Sequence, residues 1–592
     1  MATFSLKWLS GATAAVLSAM LLLPQWGQAA PEKIKLDDER MAASKQQALH
    51  RMKESEKHRK KLGLAPGGEK RMPRSGNVNG TNPDGTAVSK LTYSGKTSRY
   101  TVHHYQFNTT SPGVVKIRAN HSSPVVDYLL IDGTSLVGDN WKIYRDGDLL
   151  PAGFYMFEIV SYSDVPVDYS FEIEGVPFDG TPDQTVPDLK IESPSVREGE
   201  MPLNQSGIRV KGTHDADEAG VYINGNGPTP LEPVFDKTIP VQYGWVTLHV
   251  AAFEQSGNYV IESYRLAMPG VKRIDGADRY EVSANISRNM YPDEFGGTVV
   301  IARGDLYTDA LSGGALAGLE WAPILLTNPN SPTLPTPVLA EIDRIHPQKA
   351  ILLGGPASVP ETVRTQLESR GMDVERIGGA NRFEVSAGIA SKVMKFFDDY
   401  FPEYRPDTAI VASGLVFPDA LSVSGVSGLF GLPILQVTKD TVPKEIDAWI
   451  KNRPDIRYFI IVGGPGTVSE QVEAKLASVA VSRGGMVDRI SGANRYEVSV
   501  NAARYFGPWM DPSTHVIAKG TDFPDALSGG PLARNFFALM LLTSPNRLEP
   551  QVAEYLNRVE SEFGVRKMGM FILGGTGSIS TQVEQQLTDM LK

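Results

Sequence analysis

The same arginine stands at one place in a motif that the chain uses three times. Arg273-Ile274-Asp275-Gly276-Ala277-Asp278-Arg279-Tyr280-Glu281-Val282-Ser283 returns as Arg376-Ile377-Gly378-Gly379-Ala380-Asn381-Arg382-Phe383-Glu384-Val385-Ser386, and again as Arg489-Ile490-Ser491-Gly492-Ala493-Asn494-Arg495-Tyr496-Glu497-Val498-Ser499. A guanidinium offers a planar fork of donors, so Arg279, Arg382 and Arg495 are suited to phosphate or carboxylate recognition. The structural alternative is an ion pair with Glu281, Glu384 or Glu497, or with an Asp of a neighbouring copy.

Three further elements follow each copy in the same order. The first is Asp309-Ala310-Leu311-Ser312, matched by Asp419-Ala420-Leu421-Ser422 and Asp525-Ala526-Leu527-Ser528. These acids begin helices, where a carboxylate either caps free amides or meets a ligand. The second is Ile324-Leu325-Leu326, matched by Ile434-Leu435-Gln436 and Met540-Leu541-Leu542; chemically it is a buried strand. The third is a glycine pair closing an apolar run: Gly354-Gly355, Gly463-Gly464 and Gly574-Gly575. Such pairs permit a tight turn and expose amides at a helix N-terminus, a setting for an anion.

Catalysis is not expected from this inventory. There is no cysteine, and the nine histidines include no H-E-x-x-H. Ser312, Ser422 and Ser528 recur beside an Asp without a histidine, so helix packing explains them better than a nucleophile does. The glycine pairs lack a P-loop lysine, and no G-x-G-x-x-G follows a strand. No catalytic residue, metal or cofactor is expected.

Within one copy the continuous apolar runs Thr298 to Ala302, Pro323 to Thr327 and Ala350 to Leu353 have strand length. Helical stretches lie between and after them: Asp309 to Leu319, Pro335 to Ile345 and Val359 to Arg370. Alternating β and α elements of these lengths require right-handed crossovers and a parallel sheet covered by helices. All strand-to-helix turns then lie at the carboxyl edge, where ligands usually bind. Ser358-Val359-Pro360-Glu361 and Thr467-Val468-Ser469-Glu470 read as capping boxes that start the last helix.

The rest of the chain differs. At 592 residues it is too long for one core, and its net charge of −10 opposes bulk attraction to nucleic acid. Residues 1–29 read as an export signal, with Lys7, the apolar run Ala12 to Leu23 and a small-x-small site ending at Ala29. No span of a membrane is expected once it is removed. Residues 30–91 form a charged helical and linker segment that includes His58-Arg59-Lys60-Lys61. Residues 92–177 and 187–268 show short alternating runs broken by Gly, Pro, Asn and Asp, as two β-sandwich domains would. The turns Asn224-Gly225 and Ser256-Gly257-Asn258 suit hairpins.

The first β domain, through Leu150-Pro151-Ala152-Gly153-Phe154-Tyr155, resembles the bacterial pre-peptidase C-terminal module, and the second resembles immunoglobulin-like spacers of bacterial surface proteins. From about 271 onward the four collinear elements resemble the cell wall binding repeat 2 modules of Gram-positive surface proteins and autolysins. The copies are expected at 271–374, 375–486 and 487–592. That resemblance implies small Rossmann-like parallel-sheet units in a pseudo-threefold arrangement and tethering of a secreted protein to an anionic wall polymer or peptidoglycan-linked polysaccharide. It also names Ile324 to Leu326 and Met540 to Leu542 as polymer-binding, with Gln436 a departure in the middle copy. Arg279, Arg382, Arg495, Asp309, Asp419 and Asp525 join the candidate polymer contacts, and the β domains are left to bind a protein or glycan.

Overall fold

The computed structural model describes residues 89–592 apart from 121–125, 133–141, 162, 224–225, 401 and 403–404. The expected export signal, the charged segment up to residue 88 and the Asn224-Gly225 turn lie outside the described residues. Two compact units are present, one of residues 89–201 with 205–267, the other of 202–204 with 268–592.

The first unit is built of β-strands, paired antiparallel except at the short strand Glu198–Glu200, which runs parallel to its neighbour. Its strands are β1 (Lys90–Thr97), β2 (Thr101–Thr109), β3 (Gly113–Val114), β4 (Lys116–Ala119), β5 (Val126–Asp132), β6 (Ile143–Tyr144), β7 (Leu149–Leu150), β8 (Gly153–Ser161) and β9 (Val167–Glu174). They are followed by β10 (Leu189–Ser193), β11 (Glu198–Glu200), β12 (Gly207–His214), β13 (Glu218–Ile223), β14 (Asn226–Pro230), β15 (Val234–Pro240), β16 (Gly244–Phe253) and β17 (Tyr259–Met268). Two sheets of three strands, β1-β9-β4 and β10-β12-β15, belong to one expected β segment each. A nine-stranded sheet runs through both, in the order β14-β13-β16-β17-β2-β8-β5-β6, with β11 on β17.

The expectation of two separate sandwiches is therefore corrected: β17 pairs with β2, Tyr259 opposite His104 and Glu262 opposite Thr101. The reason is an unsatisfied edge, since β2 and β17 each offer a free row of amides and carbonyls that the other fills. A buried polar group pins the junction. Glu158 accepts from the Tyr259 hydroxyl at 3.1 Å and lies 3.1 Å from Nδ1 of His104, whose ring stacks on Tyr259 at 4.1 Å. An apolar core with Tyr93 stacked on Tyr105 at 4.0 Å fills the first half.

The second unit holds three four-stranded parallel sheets. Strands β18 (Gly270–Ile274), β19 (Thr298–Arg303), β20 (Ile324–Thr327), β21 (Lys349–Leu353) and β22 (Asp373–Ile377) are followed by β23 (Thr408–Ser413), β24 (Ile434–Val437), β25 (Tyr458–Val462) and β26 (Val487–Ile490). The last are β27 (Thr514–Lys519), β28 (Leu539–Thr543) and β29 (Gly569–Leu573). The sheets read β20-β19-β21-β22, β24-β23-β25-β26 and β28-β27-β29-β18. Helices stand where the repeat predicted them, at Thr336–Ile345 and Glu361–Glu368 in the first copy, while Asp309 to Leu319 divides into a 3₁₀ turn Ala310–Ser312 and a helix Gly313–Leu319.

The fourth strand of each sheet is the one that opens the next copy of the sequence motif. In the last sheet that place is filled by β18, the strand that opens the first copy, pairing parallel with β29 from Gly270 opposite Gly569 to Ile274 opposite Leu573. The array thus closes on itself. The short helices Gly313–Leu319, Ser424–Phe430 and Gly529–Asn535 pack on one another. Glycine permits this approach: a Cβ at Gly318 would lie 2.3 Å from Cα of Gly428, and one at Gly425 2.6 Å from Cβ of Ala533.

Candidate functional site

The motif Asp/Asn-Arg-Tyr/Phe-Glu starts a helix in every copy. Asp278 and Asn494 are N-caps whose side chains accept the amides two and three residues on, and Asn381 does the same for Phe383 and Glu384. Glu281, Glu384 and Glu497 reach back to the amides of Ala277, Ala380 and Ala493 at 2.6, 2.7 and 2.8 Å. This resembles a capping box with Asp or Asn in place of Ser or Thr, except that the Glu takes the amide of the residue before the N-cap. It also uses the glutamates that had been considered as arginine partners.

The arginines behind these caps turn inward. Arg279 donates to the Gly304 carbonyl at 2.5 Å, Arg495 to the Gly520 carbonyl at 2.6 Å, and Arg382 to the Gly414 carbonyl. Each also faces the buried acid of the preceding copy: Arg382 acts on Asp309, Arg495 on Asp419 and, across the closure, Arg279 on Asp525. The attraction to an Asp of a neighbouring copy is present without a hydrogen-bonded ion pair, and one donor of each guanidinium is committed to a carbonyl.

The expectation that these acids cap helices is corrected. Asp309 makes no capping hydrogen bond to the turn it precedes, and the caps of Pro418–Ser422 and Pro524–Leu527 are Phe417 and Phe523. The carboxylates point instead across the sheet edge: Asp309 accepts from Ser358 at 2.6 Å, Asp419 from Thr467 at 3.1 Å and Asp525 from Ser578 at 2.5 Å. Ser358 and Thr467 are therefore not the caps they resembled; the helices begin after Pro360 and Ser469, without a side-chain cap. Burial holds the Asp309, Asp419 and Asp525 carboxyls above their ordinary pKa, against the lowering effect of these hydroxyls.

The glycine pairs divide their work. The first glycine of each has φ of +99° (Gly354), +121° (Gly463) or +93° (Gly574). A Cβ there would lie 2.3, 2.5 or 2.1 Å from the facing Asp oxygen. Its amide is spent on the fourth strand, bonding the carbonyl of Ile377, Ile490 or Ile274. The first glycine of each pair therefore has no amide to offer an anion. The carbonyl of the first glycine accepts from Arg376, Arg489 or Arg273, the arginine that opens each motif copy. Arg273 additionally pairs with Glu584 at 2.8 Å and so fastens the closing strand. These arginines were visible as repeats, but their role needs the strand pairing.

The Ile-Leu-Leu elements sit in the edge strands β20 and β28, where Ile324, Leu325, Leu326, Met540, Leu541 and Leu542 are each at most 2% exposed. A polymer outside the protein does not reach them in this conformation, so their contribution is to sheet and core. The amides of Leu326, Gln436 and Leu542 are held by Ser283, Ser386 and Ser499, which accounts for the serine that ends each motif. Gln436 is fully buried and donates to the Thr308 carbonyl at 2.7 Å and to Ser312 at 2.9 Å, tying the middle copy to the first.

A cleft of about 280 Å³ gathers these parts at the closure. Gly276, Asp278 and Arg279 from the beginning of the array face Lys519, Asp525 and Ser578 of its last sheet. Among the described residues no group of three or more His, Cys, Asp or Glu is arranged to hold a metal ion, and no helix is long and apolar enough to cross a membrane.

Residues 273–364, 376–473 and 489–584 match the family model of cell wall binding domain 2. The chain is 30% identical over 323 residues to the N-acetylmuramoyl-L-alanine amidase LytC of Bacillus subtilis, covering 54% of this chain and 59% of LytC. It is 30% identical over 317 residues to the Bacillus subtilis amidase enhancer, covering 54% of this chain and 40% of that protein. It therefore spans about half the length of the curated relatives it matches. A solved structure, Cwp6 from Clostridium difficile, superimposes with a TM-score of 0.51 at 21% identity, covering 69% of this chain and 68% of Cwp6, a likeness of fold.

Proposed function

From the premise that residues 273–584 carry three cell wall binding domain 2 repeats, we propose that this chain is an exported surface protein held on the Gram-positive wall by non-catalytic binding of an anionic secondary wall polymer. The observation that carries the reading is the composition of the junctions between copies. Each brings the Asp and glycine turn of one copy to the capped arginine of the next, so binding positions arise where copies meet. We read the sheets as Rossmann-like units about a pseudo-threefold axis, on the strength of their common strand order and the mutual packing of their glycine-rich helices. Three sites on one rigid array multiply affinity for a repeating polymer by effective concentration.

Co-sedimentation of the protein with intact walls, and with walls stripped of acidic polymer, tests this. Binding is expected to the first and not to the second. Arg279→Ala, Arg382→Ala and Arg495→Ala combined should release a protein whose melting temperature stays within a few degrees; full retention would remove the arginines from the binding surface. A second reading, a role alongside wall autolysins, draws on the similarity to an amidase and an amidase enhancer. Release of muropeptides by the purified chain, or faster release by an added amidase, would favour it.

A further inference from the structure

The three places where copies meet are not alike, and the difference lies in the residue that ends β19, β23 and β27. That residue is Arg303 in the first copy, Ser413 in the second and Lys519 in the third. Arg303 is consumed locally, with two 2.7 Å bonds to Asp305. Ser413 is neutral and accepts the Leu415 amide at 3.2 Å. Lys519 stays 3.9 Å from Asp522, past hydrogen-bonding distance, and lines the open cleft beside Arg279.

The acids of that cleft are engaged by donors of the protein itself. Asp278 takes two helix amides at 2.9 Å, Asp522 takes the Phe523 amide at 2.9 Å, and Asp525 takes the Ser578 hydroxyl at 2.5 Å. Lys519 and Arg279 both attract the buried Asp525 carboxylate while Asp522 opposes them, so two cations stand among the three acids of the cleft. Where the second and third copies meet, Asp419 feels the charge of Arg495.

We propose that the closure cleft is the dominant site for the acidic group of a glycan, a compact oxyanion held by Lys519 and Arg279, and that the other two junctions between copies add weaker contacts. The proposal rests on the wall-attachment reading for the source of that glycan. It also makes the site conditional on closure: Arg279 reaches the cleft because β18 is paired with β29.

The test uses the full chain and single substitutions. Lys519→Gln should weaken binding to intact walls about tenfold, the loss expected for one charge-assisted contact, while Arg303→Gln and Ser413→Ala change it less than about twofold. Glycerol 2-phosphate and glucuronate, as free phosphate and carboxylate probes, should each be titrated by calorimetry against the unsubstituted chain and Lys519→Gln, with glucose as the neutral control. Uptake of one anion that Lys519→Gln abolishes supports the site and identifies the acidic group. Equal losses for Lys519→Gln and Arg303→Gln, or anion uptake that Lys519→Gln leaves intact, overturn it while retained wall binding leaves attachment standing. A chain that ignores walls yet takes up an anion through Lys519 removes the attachment reading and keeps the site.

Discussion

The antiparallel and parallel halves join their neighbouring parts in opposite ways. In the first, β2 and β17 continue one ladder of hydrogen bonds, so two stretches of sequence become a single sheet. In the second, each sheet stays separate, and the copies meet through a borrowed fourth strand and small-residue helices. Continuing a ladder leaves no gap at the junction. Borrowing a strand brings loop edges from two copies together and, at the closure, leaves a cleft lined by arginine and acid. The same problem of satisfying exposed strand edges thus yields a continuous surface in one half and recessed charged positions in the other.

The contrast can be broken most severely at the helix contact. Gly318→Leu forces side-chain atoms into the backbone of Gly428 and should cost about 3 kcal/mol or more, the upper range for overpacking. Urea unfolding followed by helical circular dichroism would show it; a shift below about 1 kcal/mol would mean the copies can separate slightly without penalty.

Acid should act on the parallel half through His515. Burial pushes this imidazole down to about 3, so its contribution to stability is complete above about pH 6.5 and is lost as pH falls toward that value. At pH 4 the loss is about 3 kcal/mol. Asp309, Asp419 and Asp525, raised by burial, act with the opposite sign and gain stability on acidification. The fall in unfolding free energy from pH 7 to pH 4 should therefore be about 3 kcal/mol smaller in His515→Gln than in the unsubstituted chain.

The two members of a glycine pair give a finer comparison. Gly574→Ala meets both a positive φ and the Asp525 oxygen and should cost about 2 kcal/mol, whereas a Cβ at Gly575 has 4.0 Å of clearance and should cost a few tenths. Equal thermal shifts would contradict the division of work between them. Smallest is Ser386→Ala, which removes the acceptor for the Gln436 amide and should cost about 1 kcal/mol, with faster exchange of that amide as the local sign.

Much of the parallel half was legible before any coordinates. Strand and helix positions followed from apolar runs and their spacing, because a strand buried on both faces and a helix behind a turn leave their mark within a few residues. The arginines and acids were identified as a recurring set, and they do face one another. What they do was less legible. Asp309 looked like a cap because it opens a helical stretch, and Ser358 looked like another, yet the two bond each other across 49 positions of sequence. Ile324 to Leu326 carried the name of a binding element, and only burial in β20 shows it as core.

The chain by itself determined that one unit is repeated three times, with parallel strands alternating with helices and no thiol chemistry, since those properties rest on residue type and short spacing. Tertiary structure decided where one copy ends and the next begins. A tandem repeat has no privileged starting point in sequence, so a strand at a junction fits either neighbour equally well by composition. The hydrogen bonds between β18 and β29 settle that choice, and they bring residues almost 300 positions apart to the same cleft.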